Sequence, residues 1–134
     1  MTGFPLKIVT PDGLLFDGTA EEIIVRSTSG DIGILAGHIN CVAPLGMGQA
    51  TLIIDGQKRY AACIGGMVSV VKGAVTLVPT TFEWADKIDV ERAEDSQRRA
   101  QAILADKTST DTDIRLAEAR LKRALVRKSV ANQK

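Results

Sequence analysis

Residues 67–105, MVSVVKGAVTLVPTTFEWADKIDVERAEDSQRRAQAILA, hold two different periodicities in one stretch. The first part is strand-like. Met67–Val71 and Ala74–Val78 are short and rich in β-branched residues, and Lys72-Gly73 between them reads as a hairpin turn. The second part is helical. From Ile88 to about Ala105 there is no Gly or Pro, and Ala, Glu, Arg and Gln dominate. Asp86 or Asp89 can cap its start by accepting from free backbone N–H groups. The change of character falls near residue 82 and predicts two units, residues 1–84 and 85–134.

The strand-like reading extends back to the N-terminus. Phe4 to Thr10 alternates loosely and ends in Pro11-Asp12-Gly13, a turn. Ile23, Ile24 and Val25 form a β-branched run. Met47 to Ile54 and Lys58 to Ile64 flank Asp55-Gly56, the strongest short-range hairpin signal. All 12 glycines lie at or before Gly73. Short strands punctuated by glycine turns point to a β-sandwich or barrel.

The helical reading extends to the C-terminus. Asp106 to Thr112 is polar and turn-like, and Asp113 to about Ala131 is a second helix. Asp111 or Asp113 marks its start and basic residues gather toward its end, which suits the helix dipole. Two helices joined by a short turn make an antiparallel hairpin. Its apolar positions are largely alanines: Ala93, Ala100, Ala102 and Ala105, then Ala117, Ala119 and Ala124. Ile103, Leu104, Ile114, Leu121 and Leu125 supply the larger side chains. A buried Leu or Ile contributes roughly 1.5–3 kcal/mol and an alanine much less. The hairpin is therefore expected to dock on the first unit, and to dock loosely.

Composition narrows the function classes. Hydrophobic residues make up 45%, charged residues 25% and aromatics only 4%, so the core is aliphatic. Seventeen Lys and Arg against 16 acids give a net charge of +1, which argues against a general nucleic-acid binder. No run of about 18 apolar residues is present, so no transmembrane helix is expected. Met1 to Ile8 lacks the features of a signal peptide, and a cytosolic location is the expectation. Cys41 and Cys63 form no CxxC pair and read as free, core-filling thiols. Gly30 to His38 is glycine-rich but lacks the G-K-[ST] ending of a phosphate loop. His38 is the single histidine, and it assembles neither a triad nor a metal site. No catalytic or metal residue is assigned, and the chain reads as a non-enzyme.

The helices carry one chemical pattern. Asp89, Arg92, Ser96 and Arg99 are spaced by three, four and three residues and share one helical stripe beside the small Ala93. Arg120, Arg123 and Arg127 form a similar row on the second helix. Folded together, the two could place several guanidiniums around one polyanion, for which their planar forks are suited. A solvated basic face with intrahelical ion pairs is the competing reading, and the residues alone leave both open.

The order of segments is similar to a known family. Val9-Thr10-Pro11-Asp12-Gly13 opens the chain. Gly30-Asp31-Ile32-Gly33-Ile34-Leu35-Ala36-Gly37-His38 resembles the G-(E/D)-x-G-I-L-x-G-H segment of bacterial F-type ATP synthase epsilon subunits. Ile88-Asp89-Val90-Glu91-Arg92-Ala93 resembles that family's I-D-x-x-R-A motif, and Ala119-Arg120-Leu121-Lys122-Arg123-Ala124 resembles its C-terminal helix. Ala36 departs from a common proline, and Asp31 keeps the charge of the usual Glu.

The resemblance implies an α+β fold: an N-terminal antiparallel β-sandwich followed by a C-terminal antiparallel two-helix hairpin. It also implies a non-catalytic rotor subunit that couples proton-driven rotation to ATP synthesis and restrains ATP hydrolysis. Its partners would be the gamma subunit, the c-subunit ring and the alpha and beta subunits, at the cytoplasmic face of the membrane without insertion into it. ATP would be a regulatory ligand and not a substrate, at Glu83, Ile88, Asp89, Arg92, Ala93, Arg99, Arg123 and Arg127. With the hairpin extended, Arg115, Arg120, Lys122, Arg123, Arg127 and Lys128 are the candidate inhibitory contacts. The candidate contact segment for gamma and the c ring is the loop from Gly30 to Asn40, with Gly30, Asp31, Gly33, Ile34, Leu35, Gly37 and His38 named. The alternatives are a mitochondrial-type delta subunit and a stand-alone nucleotide sensor.

Overall fold

Ten strands and two helices follow one another in the computed structural model, which describes residues 2–133. Met1 and Lys134, the outermost residues of the two expected units, lie outside that range. The strands are β1 (Phe4–Thr10), β2 (Gly13–Ala20), β3 (Glu22–Ser27), β4 (Gly30–Leu35), β5 (Cys41–Pro44), β6 (Met47–Ile54), β7 (Gln57–Ile64), β8 (Met67–Val71), β9 (Ala74–Val78) and β10 (Thr81–Trp84). A short 3-10 turn, Ala85–Lys87, leads into α1 (Val90–Ala105) and α2 (Asp111–Ala131).

The strands form two five-stranded sheets, β2-β1-β9-β8-β5 and β10-β7-β6-β3-β4. All pairings are antiparallel except β1 with β9, which is parallel. Both hairpins foreseen from Asp-Gly and Lys-Gly are present. Asp55 and Gly56 have φ of 53° and 76°, and Lys72 and Gly73 have 51° and 80°, the left-handed pair that suits the strand twist. The two sheets enclose an aliphatic core in which Leu6, Ile8, Ile23, Val25, Ile34, Leu52, Val68 and Leu77 are fully or almost fully buried. Cys63 belongs to this core, and burial pushes its thiol up to about 12.

Alternation on β7 and β10 creates a second, smaller apolar face. Ala61 and Cys63 point into the sandwich, while Tyr60 and Ala62 point outward. On that outer face Ala62 meets Ala85, Ile88, Val130 and Ala131. This cluster holds the helices against the second sheet, and it is small. Besides Val130 and Ala131 of that cluster, the buried positions of the hairpin are Ala93, Ala100, Ala117 and Ala124, so the helices meet through alanines. Ala102, Ala105, Leu116 and Leu125 are exposed, and Ile103, Leu104, Ile114 and Leu121 are only half-buried.

Both helices are capped. Asp89 accepts from the Arg92 N–H at the start of α1. Thr110, rather than either aspartate, caps α2, and its hydroxyl and the Asp113 carboxylate satisfy each other's backbone N–H groups reciprocally. Between the helices, Asp106 Oδ1 accepts from the Thr108 N–H at 2.9 Å and its hydroxyl at 2.7 Å. The backbone bond first and the hydroxyl second hold the Asp106 carboxyl below its ordinary range.

Candidate functional site

Where the hairpin lies over the edge of the second sheet, it leaves a cavity of about 660 Å³. The edge strand is β10. Phe82 faces the core, so Thr81 and Glu83, one residue to either side, face the hairpin. The β1–β2 turn sits beside them, because β1 runs parallel to β9 and ends next to Pro79 and Thr80. Thr10, Asp12, Thr80, Thr81, Phe82 and Glu83 thus form the sandwich side of the cavity. The other side comes from Lys87, from Asp89, Arg92, Ala93 and Ser96 at the start of α1, and from Arg120, Arg123 and Arg127 on α2.

Periodicity explains this convergence. Asp89, Arg92, Ala93 and Ser96 lie on one face of α1, and Arg120, Arg123 and Arg127 on one face of α2. The buried alanines let the two backbones approach closely enough for those faces to share one cavity. Two of the carboxylates are already engaged. Arg127 Nε donates to Glu83 Oε1 at 2.5 Å, and the Asp89 carboxylate holds the Arg92 N–H at 3.1 Å. The remaining cations, Lys87, Arg92, Arg120 and Arg123, outnumber the one remaining acid, Asp12. A volume in the range of small-molecule sites with surplus guanidinium groups suits an anionic ligand.

Of the residues singled out in the sequence, Glu83, Asp89, Arg92, Ala93, Arg123 and Arg127 come together here. Ile88 is buried in the cluster that docks the hairpin. Arg99 is outside the cavity lining and pairs with Asp95 at 2.9 Å on the exposed side of α1. Arg120 takes part in its place. Thr10, Asp12, Thr80, Thr81 and Lys87 carried no local signal, since only the β1–β9 pairing brings the first turn to β10.

The segment from Gly30 to Asn40 is not a loop throughout. Gly30 to Leu35 is strand β4, paired with β3, and the loop is confined to residues 36–40. Ile34 is fully buried, so its side chain faces the core and offers nothing to a partner. Asp31, Gly33, Leu35 and Gly37 are exposed and His38 is half-buried. Asp31 is held by Arg26 at 2.7 Å. Arg115, Arg120 and Lys122 are exposed on α2, while Lys128 donates to Gln97 at 2.8 Å.

Comparison with known proteins agrees with this architecture part by part. Residues 3–85 match the model of the ATP synthase delta/epsilon chain β-sandwich domain. Residues 86–132 match that of the delta/epsilon chain long α-helix domain. This chain belongs to the ATP synthase delta/epsilon family. The ATP synthase epsilon chain of Ruminococcus albus is 44% identical over 135 residues, covering 100% of both chains. That of Bacillus velezensis is 48% identical over 126 residues, covering 94% of this chain and 95% of the relative. A chain in the Euglena gracilis mitochondrial ATP synthase superposes with a TM-score of 0.83 at 21% identity, covering 100% of this chain and 83% of the other, which shows a shared fold. The family named from the motifs is thus the family found, and it is that of a non-catalytic ATP synthase subunit. No helix among the described residues is long and apolar enough to cross a membrane.

Proposed function

We propose that this delta/epsilon family chain is the epsilon subunit of the central stalk of an F-type ATP synthase, and that its hairpin is an ATP-sensitive brake on ATP hydrolysis. The cavity under the hairpin carries this reading. It places Arg92 of α1 and Arg120, Arg123 and Arg127 of α2 on one space bounded by the sandwich. A polyanion bound there draws on both helices and the sandwich at once, and so stabilises the docked hairpin over any state in which they part. A ligand shifts such a balance only through its preference for one state.

The sandwich supplies the coupling element. The outer face of the first sheet is apolar where most sheets are polar, with Val42, Met67, Val71 and Val78 exposed on β5, β8 and β9. Met67 and Val78 are direct cross-strand partners. That face is assigned to the gamma subunit. Leu35 and Ile39, exposed at the end of β4 and in the loop after it, are assigned with Gly37 and His38 to the c ring. The assembly then lies at the cytoplasmic face of the membrane and transmits proton-driven rotation. Undocked, α2 offers Arg115, Arg120, Lys122, Arg123, Arg127 and Lys128 to acidic surfaces of the alpha and beta subunits.

The test is reconstitution with alpha, beta and gamma subunits, using the full chain and a chain ending at Asp86. Both should assemble. The shortened form should hydrolyse ATP faster when ATP is scarce, and equal rates would remove the brake. Calorimetry of the isolated chain with ATP tests the site directly. Arg92→Ala and Arg123→Ala should each weaken binding about tenfold or more, the usual consequence of losing a charged hydrogen-bond partner.

A further inference from the structure

Two consecutive residues at the end of β10 belong to different cores. Trp84 packs against the main core inside the sandwich. Ala85 belongs with Ala62, Ile88, Val130 and Ala131 to the small cluster that docks the hairpin. The boundary between what holds the sandwich and what holds the hairpin thus falls at one peptide bond.

The chain is held very differently on the two sides of that bond. β10 is a four-residue strand at the edge of its sheet, with β7 as its neighbour. So short a strand adds little by its own pairing. Side-chain contacts fix its last residue instead. The Trp84 ring meets Phe82 edge to face, with centroids 5.0 Å apart at 88°. Arg59 sets its guanidinium carbon 3.7 Å from the centre of the Trp84 ring, a cation–aromatic contact. Register explains the reach: Trp84 lies opposite Ala61, and Arg59 is two residues along β7 on the same face. Arg59 is exposed although its β6 partner Leu52 is fully buried, so it stands at the rim of the sandwich and covers Trp84 there.

Beyond the bond the hold is weak. The Ala85–Lys87 turn has no side-chain cap, and the bond that closes it, from the Ile88 N–H to the Ala85 carbonyl, is long at 3.4 Å. Asp86 and Lys87 are exposed. Regular structure resumes where Asp89 caps α1.

We infer that Arg59 and Trp84 anchor the fixed side of a joint. Given the mobile hairpin proposed above, their contact keeps β10 paired with β7 while the hairpin leaves, and confines the motion to residues 85–89. Arg59 is a positioning residue that acts through Trp84. The consequence is a seat that survives undocking: Glu83, next to Trp84, stays where Arg127 left it, and the returning hairpin meets a formed sheet edge.

The experiment is residue-by-residue amide exchange in the full chain, with acrylamide quenching of Trp84, the single tryptophan. In the native chain α1, α2 and residues 86–89 should exchange through one opening, and the β10 amides should exchange later, with those of β7. Arg59→Gln keeps most of the stem and removes the charge. It should speed exchange of the β10 amides about two- to fivefold, the worth of an exposed cation–aromatic contact, and raise the quenching of Trp84. The β3 and β6 amides should be unchanged, and Arg59→Lys should bring β10 back toward the native rate. Native exchange at β10 in Arg59→Gln would overturn the anchor. Equal acceleration of all strands would make Arg59 a general stabiliser and overturn it as well. Native β10 amides that exchange together with the helices would mean that the strand travels with the hairpin. Helices that exchange only when the whole sandwich does would remove the mobile hairpin itself. If Arg59→Gln does not fold, Arg59→Ala is read by the same outcomes.

Discussion

Arg127 on α2 and Glu83 on β10 meet at 2.5 Å, the one ion pair among the described residues that ties the hairpin to the sandwich. Their side chains are 24% and 35% exposed, so the pair is neither buried nor fully screened. Glu83 occupies the guanidinium that a polyanion would otherwise take. The same residue therefore holds the hairpin down and would compete for Arg127 with the polyanion proposed above.

Removing either partner should loosen the docked hairpin. A double-mutant cycle over Glu83→Ala and Arg127→Ala is expected to give a coupling of about 0.5–1 kcal/mol, the upper end for an exposed pair. Amide exchange should quicken along α2 while β3, β6 and β7 keep their protection. Unchanged exchange in α2 would mean that the apolar cluster around Ile88 and Val130 holds the hairpin without help.

Gly66 is the position where the sandwich tolerates no side chain. Its φ is +92°, and a Cβ there would lie 2.0 Å from the Val78 carbonyl oxygen and 2.6 Å from Pro79 Cα. Both obstacles are backbone, so neither can swing aside. Gly66→Ala should cost roughly 3 kcal/mol or more, as backbone strain and a hard clash combine. Urea unfolding of the variant measures it, and a cost below 1 kcal/mol would show that the β7–β8 turn relaxes freely. Gly56→Ala makes a control, since nothing lies within 4 Å of its Cβ and only its φ of +76° is strained.

The Cys63 thiol makes stability fall at high pH. Its folded value is raised to about 12 from an ordinary 9.0 by burial alone. The folded state therefore keeps its proton where the unfolded state has lost it. The contribution is whole below pH 9.0 and is lost as pH rises toward about 12. Cys63→Ala should flatten the decline of stability across that window. At neutral pH a thiol reagent should reach Cys63 only through unfolding, and modification of the folded chain at the rate of a free thiol would contradict its burial.

The legible part of this fold was its local chemistry. Asp55-Gly56 declared its hairpin because such a pair adopts two successive positive φ values cheaply, and Gly73 between two β-branched runs marked the second, where Lys72 also takes a positive φ. The absence of glycine after Gly73 announced the helices. Strand β4 was hidden because Gly30 and Gly33 mask its alternation, although Ile32 and Ile34 pack as a strand requires. Half of the cavity was hidden for a different reason. The arginine rows follow from helical spacing, which is visible in sequence. Asp12 and Thr81 lie 69 positions apart and meet only through the parallel β1–β9 pairing, which no short-range signal encodes.

The sandwich should fold without the hairpin. Every buried residue of the main core lies between Phe4 and Phe82, and no helical residue belongs to it. Besides the Glu83–Arg127 pair, the apolar contact of the hairpin with the sandwich runs through Tyr60, Ala62 and Ala85, so ending the chain at Asp86 uncovers two small side chains and one half-buried ring of that cluster. What is removed, Ile88, Val130 and Ala131 with the alanine seam between the helices, cannot make a core of its own. The fragment is therefore expected to keep the strand signature in circular dichroism and slow amide exchange at Ile23, Leu52 and Leu77. The full chain should show the mirror image: α1 and α2 exchange well before those strands, because alanine packing leaves their opening cheap. A fragment without slow amides would mean that the sheet edge at β10 needs the hairpin above it, and the hairpin could then not leave the sandwich as a switch requires.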